Sequence, residues 1–196
     1  SYVVREPADG YTLFFSSSAV LINHVMGTTS GFSYTDLSPL ALVATTPFIL
    51  VINPATPANN IAELVAYSKK NPGTLNYSSA ALSTSLLMEL FKQTTSIDAT
   101  NIPYRGGSQG LTAVLANETH MMLTSLLPVL GFLTSGKLKA LAVAAEKRLP
   151  AVPQVPTFRE QGFDFQFGPW WALYVSAKTP ASVIAKLESA IQSARV

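Results

Sequence analysis

The sequence predicts an α/β chain with mainly parallel sheets, folded as two lobes. Three observations carry that expectation. Short apolar runs of strand character alternate with amphipathic stretches of helical period along the chain, the pattern of sheets built from strand–helix–strand units. The long apolar run from Leu40 to Ile52 is interrupted by Thr45-Thr46-Pro47, the polar joint expected where a strand leaves one sheet and enters another. A second long connection, Ala144 to Gly168, carries Pro150, Pro153 and Pro156 and reads as the return crossing. Residues 1–45 and 144–196 then form one lobe and residues 46–143 the other, with a single-lobed fold as the alternative.

The elements follow in order. Tyr11 to Phe15 is a strand after the turn Pro7-Ala8-Asp9-Gly10. Leu40 to Val43 and Phe48 to Ile52 are the two strand segments flanking the polar joint, and Asn53-Pro54 ends the second. Ile61 to Lys70 is an amphipathic helix stopped by Asn71-Pro72-Gly73. Leu75 to Tyr77 is a strand that runs into a hydroxyl-rich loop, and a helix starts near Ser83 and covers Leu86 to Gln93. Asn101 to Tyr104 leads through a two-glycine turn to a helix over Gln109 to Leu115. His120 to Leu123, Leu138 to Ala142 and Trp170 to Val175 are strands, and a helix from Pro180 to Ser193 closes the pattern.

Composition excludes several functions. Of 196 residues, 48% are apolar and only 12% charged, which favours a sizeable core and argues against disorder. The net charge of +2 comes from 13 basic and 11 acidic residues with no basic stripe, so nucleic acid is not an expected partner. Without cysteine there is no disulfide, zinc-thiolate or thiol chemistry. No apolar run reaches the roughly 18 residues of a membrane span, so direct membrane insertion is not expected, and Ser1 to Val4 is not a signal peptide.

Chemistry concentrates at strand ends. From Tyr77 to Ser85 the chain passes Ser78, Ser79, Ser83 and Thr84, five hydroxyl side chains in eight residues when Ser85 is counted, as a strand gives way to a helix. A helix start presents unsatisfied N–H groups and partial positive charge, so a carboxylate or phosphate fits there without lysine or arginine. Ordinary capping is the plainer reading, but it explains one hydroxyl and not five. Tyr104, Gly106 and Gly107 repeat the arrangement, with glycines that permit unusual φ and close backbone approach, or that simply make the turn. Ser16, Ser17 and Ser18 follow the first strand, and Thr124 and Ser125 follow His120 to Leu123. C-terminal strand ends line the ligand crevice of open α/β sheets. Trp170 or its neighbour Trp171 is expected to face the cleft. The site so predicted is a cleft between two lobes for a small anion.

Catalysis is not expected. His24 and His120 lack metal-ligand partners at useful spacing, the acidic residues are scattered, and no cofactor or metal motif occurs. A hydrolase using Ser17 or Ser83 would need one of these hydroxyls beside a histidine, and the serines lack a G-x-S-x-G elbow.

Six segments in order carry a resemblance: Ala8-Asp9-Gly10-Tyr11-Thr12-Leu13, Pro39 to Thr45, Asn71-Pro72-Gly73-Thr74-Leu75-Asn76-Tyr77, Ile102 to Gly107, Gly136-Lys137-Leu138-Lys139-Ala140-Leu141-Ala142-Val143, and Val152-Pro153-Gln154-Val155-Pro156-Thr157. Together they resemble the Bug-type solute receptors of tripartite tricarboxylate transporters. The resemblance implies a periplasmic binding-protein fold of the second type, a small carboxylate ligand and delivery to membrane transporter subunits. It implies ligand-facing roles for the loop from Ser78 to Ser85, the turn from Tyr104 to Gly107 and the loop from Ser16 to Ser18.

Three departures qualify it. Only eight residues precede Asp9, where the family has a further strand and loop, so one lobe is expected to be incomplete, and the C-terminal helical tail looks short. Ala80-Ala81-Leu82 replaces a loop with glycines and an asparagine. Thr124 stands where an aspartate commonly holds a ligand ammonium, which argues against an α-amino acid. A sensory or interaction domain reusing the fold is the other reading.

Overall fold

The computed structural model describes residues 2–27 and 31–194. These residues form two compact units, Ser1–Thr45 with Pro169–Val196, and Thr46–Gly168.

The first unit holds a three-stranded sheet. Strand β1 (Phe14–Ser17) leads into helix α1 (Ala19–Val25), and β2 (Leu37–Thr45) follows a single 3-10 turn at Tyr34–Asp36. Ser33 starts that turn with a reciprocal cap: its hydroxyl accepts from Thr35 N, and Asp36 Oδ2 accepts from Ser33 N at 2.8 Å. The late strand β8 (Trp170–Ser176) lies between β1 and β2 and is antiparallel to both. Val3, Val20, Leu37, Ala172 and Tyr174 form the core, with Phe14, Phe32 and Trp170 packed on it. Helix α6 (Ala181–Ser193) completes the unit.

The second unit is built on a five-stranded sheet in the order β5 (Thr100–Pro103), β4 (Asn76–Ser79), β6 (Met121–Ser125), β3 (Phe48–Ile52), β7 (Lys139–Val143). Every residue of β3 is buried. Leu50 and Ile52 face one core with Tyr77, Leu123, Phe91, Phe158 and Phe165, while Ile49 and Val51 face the other with Met122, Val143, Leu111 and Val114. A sheet covered on both faces selects a continuous apolar strand, and FILVI is one. Helices α2 (Ile61–Lys70) and α3 (Leu82–Thr95) supply Ile61, Leu64, Met88 and Phe91 to the first core. Helix α4 (Gly107–Leu115) serves the second core, and the short α5 (Leu130–Thr134) packs there through Leu130, Phe132 and Leu133.

The expectation of mainly parallel sheets is corrected. The first sheet is wholly antiparallel, and in the second only β5–β4 and β4–β6 are parallel pairs. The cause is the same in both. β1 and β2 run parallel to each other, as do β6 and β7, but a strand of opposite direction is inserted between them. That strand is β8 in the first sheet and β3 in the second, each the first strand after a passage between units. Strand–helix alternation fixes the direction of linked strands and not which strand lies next to which.

Residues 144–168 also depart from the expected division. Ala144, Phe158 and Phe165 pack in the first core of the second unit, and Val152 and Val155 in the second. The passage back therefore comes at Gly168 and Pro169. There the two connecting segments lie backbone to backbone: Phe48 N donates to Phe167 O at 3.2 Å, and a Cβ on Gly168 would collide with Thr46 O.

Candidate functional site

In the second unit β4, β5 and β6 are parallel, so Ser79, Pro103 and Ser125 end at one edge of the sheet. Two helices begin there. Ala80-Ala81 leads from β4 into α3, and Tyr104-Arg105-Gly106 leads from β5 into α4. Tyr104 N donates to Ser79 O at 2.8 Å and ties the two connections together.

Both helix starts are uncapped. The residue before α3 is Ala81 and the residue before α4 is Gly106, and neither places a side chain on the first-turn N–H groups. By contrast α2 is capped by Asn60, whose Oδ1 accepts from Glu63 N at 2.8 Å. Alanine is a poor cap, about 1 kcal/mol worse than serine or aspartate. The result is two sets of N–H donors with the positive helix ends at one edge. Gly106 is extended at φ −165°, so the expected unusual φ is absent. A Cβ on Gly106 or Gly107 would touch nothing within 4 Å, so the space beside the start of α4 is open.

The hydroxyls divide into two groups. Ser78 is buried and its Oγ donates to Gly110 O at 3.2 Å, binding β4 to α4. Ser79 is also buried and donates to Asn101 Oδ1 at 2.7 Å, while Ser85 Oγ donates to Ser79 Oγ at 2.9 Å. Ser78 and Ser79 belong to β4 rather than to a loop after it. Thr84 Oγ1 donates to Ala81 O at 2.8 Å and accepts from Ala81 N. These groups shape the edge. The side chains of Ser83, Tyr104, Thr124 and Ser125 are half-buried and have no hydrogen-bond partner among the described residues. Thr124 and Ser125 lie within β6, opposite Ile49 and Phe48, rather than beyond the strand. Sequence reasoning missed Asn101 as a partner of the Ser79 hydroxyl, while Ser85, the other partner, is one of the five hydroxyls it counted. A polar side chain in the short strand TNIP was the available signal for Asn101.

In the first unit Ser16 and Ser17 are the last residues of β1, opposite Ala172 and Trp171. Ser18 occupies the position before α1, and its N–H donates to Trp170 O at 3.0 Å. Trp170 is half-buried, pairs with Thr45 and lines an apolar concavity with Leu40, Leu42 and Tyr174.

His120 Nδ1 lies 2.8 Å from Asn76 Oδ1 at the N-terminal end of β4, and burial lowers its pKa. The His24 ring lies tilted against Tyr34, with ring centroids 6.1 Å apart. Among the described residues the Ser83 hydroxyl is hydrogen-bonded to neither imidazole, and no group of three or more His, Cys, Asp or Glu is placed to hold a metal ion. No described helix is long and apolar enough to cross a membrane.

Against known proteins, the family model described as tripartite tricarboxylate transporter family receptor matches residues 1–196. A UPF0065 protein of Bordetella pertussis is 37% identical over 196 residues, covering 98% of this chain and 61% of that protein. A solved structure of an R. palustris protein with adipate is similar at TM-score 0.78 and 28% identity, covering 97% of this chain and 65% of that one. MatC of Rhodopseudomonas palustris with bound malate is similar at TM-score 0.76 and 26% identity, covering 98% and 67%. The chain spans about three fifths of the length of the curated relatives it matches.

Proposed function

The chain belongs to the tripartite tricarboxylate transporter receptor family, and on that premise we propose that it is a periplasmic receptor that captures a small carboxylate lacking an amino group and passes it to membrane transporter subunits. It performs no chemistry on the ligand.

The observation that carries this reading is the pair of uncapped helix starts at one sheet edge. One carboxylate is held by the N–H groups of Ser83 and Thr84 and those of the first turn of α4, with the Ser83 and Tyr104 hydroxyls as further donors. Each such charge-assisted hydrogen bond is about twice as strong as a neutral one. Gly106 and Gly107 leave room for the ligand, and Arg105, exposed and without an ion pair among the described residues, adds positive potential. Ser16, Ser17, Ser18 and Trp170 are the candidate ligand contacts on the first unit. The relatives solved with adipate and malate hold dicarboxylates, which makes four- to six-carbon dicarboxylates the first ligands to try. Thr124 offers no charge to an ammonium group, which disfavours α-amino acids.

Calorimetric titration with propionate, malate, adipate, citrate and glutamate tests the reading. Saturable binding of at least one of the first four, with glutamate weaker, is the expected result. No binding by any of them, or tightest binding of glutamate, overturns it.

A further inference from the structure

The motif Gly136-Lys137-Leu138-Lys139 is not used by the carboxylate site, and it carries a cation with an incomplete set of partners. Lys139 opens β7, opposite Ile52, at the other edge of the sheet from the helix starts of α3 and α4. Its half-buried ammonium donates to Thr56 O at 2.9 Å and Ala58 O at 2.8 Å. Both acceptors are neutral, and no carboxylate lies within 4.0 Å of it among the described residues. An ammonium has three N–H groups in tetrahedral array, so two fixed bonds leave a third of defined direction.

The surroundings are built to receive something. Lys139 lines a concavity of about 360 Å³ with Asn59, Leu133, Leu138, Leu141 and Gln154. The Gln154 amide is exposed and has no hydrogen-bond partner among the described residues. The Thr56 hydroxyl, next to the carbonyl that Lys139 holds, is buried with no partner. Glu63 is the carboxylate hydrogen-bonded to Asn59, and its oxygens are taken by Asn59 N, Asn59 Nδ2 and Asn60 Nδ2 at 2.7 to 3.1 Å. A half-buried positive charge held by two carbonyl dipoles keeps one N–H unused and has no opposite charge beside it.

We propose that this concavity is a second anion site, taking a small oxyanion on Lys139 and Gln154 with any apolar body of the ligand against Leu133. The site is independent of the carboxylate site at the opposite edge. A side-chain carboxylate of a protein partner presents the same chemistry but has no claim here, because the concavity is sized for a free small molecule.

Nitrogen-resolved NMR of the intact protein tests it, with inorganic phosphate and, separately, propionate added at constant ionic strength. The Lys139 ammonium signal and the amides of residues 136–140 shift saturably, while the amides of Ser83 and Gly107 report the other site separately. Lys139→Gln keeps a donor for the carbonyls and removes the charge, and it weakens phosphate binding at least tenfold. Gln154→Leu, which breaks no internal hydrogen bond, weakens it severalfold and serves if Lys139→Gln does not fold. Absence of saturation at Lys139, or shifts spread equally over the exposed lysines, overturns the proposal whatever the amides of Ser83 and Gly107 do. So does wild-type affinity in a folded variant.

Discussion

Ser78 and Gly110 meet where β4 supports α4: the serine Oγ donates to the glycine carbonyl at 3.2 Å, and a Cβ on Gly110 would sit 3.2 Å from that Oγ and 3.3 Å from the serine Cβ. The start of α4 is therefore held at the sheet edge by a contact with little room for added bulk. Gly110→Val is expected to cost about 1–3 kcal/mol through overpacking, and Ser78→Ala about 1 kcal/mol through the lost hydrogen bond. Urea denaturation midpoints measure both. An unchanged midpoint for Gly110→Val contradicts the contact.

Ala81→Asp should separate stability from function. An aspartate before α3 caps the N–H groups of Ser83 and Thr84 and stabilises the fold by about 1 kcal/mol. It also places a carboxylate where the ligand carboxylate is proposed to sit. Melting temperature rises while affinity for the best carboxylate falls at least tenfold. A variant that is stabilised and binds as tightly as the wild type shows that the ligand lies elsewhere.

His120 makes stability depend on pH below neutrality. Burial holds its imidazole below the ordinary 6.5. The unfolded chain then takes the proton first, so this contribution is fully present above 6.5 and is lost as pH falls through the lower, folded-state value. Denaturation midpoints measured at neutral pH and at about pH 5 should diverge less in His120→Gln than in the wild type. An identical acid slope in both removes His120 as the cause.

Gly168→Ala tests the adjoining connections. The added methyl collides with Thr46 O and comes within 2.9 Å of Pro47 Cα, both backbone atoms that cannot rotate away. We expect a loss of about 2 kcal/mol or more, the range of core overpacking. The comparison variant is Gly107→Ala, where the methyl meets nothing and stability should change little.

Much of the fold was legible in the residues. FILVI, flanked by Thr46-Pro47 and Asn53-Pro54, marks a fully buried strand, and Ile61 to Lys70 marks a helix closed by Asn71-Pro72-Gly73. Helix α1 and the turn into α5 escaped notice: α1 is only seven residues, too short to show a period clearly, and α5 only five. In the candidate site the hydroxyl-rich stretch was visible, but the role of each hydroxyl was not. Ser78 and Ser79 have the same side chain and adjacent positions, yet one bonds to α4 and the other to β5, because successive strand residues point to opposite faces.

By itself the sequence determined the class of the fold, the family and the places where strands end in helix starts, because these depend on local periodicity, turn residues and short motifs. Tertiary structure alone decided that β8 and β3 insert antiparallel between linked strands, and that residues 144–168 fold into the second unit. It also decided that Ala81 and Gly106, not serines, precede the helices. Strand neighbours are chosen by burial of whole faces across distant parts of the chain, and a helix start is fixed by where packing ends the strand before it, so neither is written in any local run of residues.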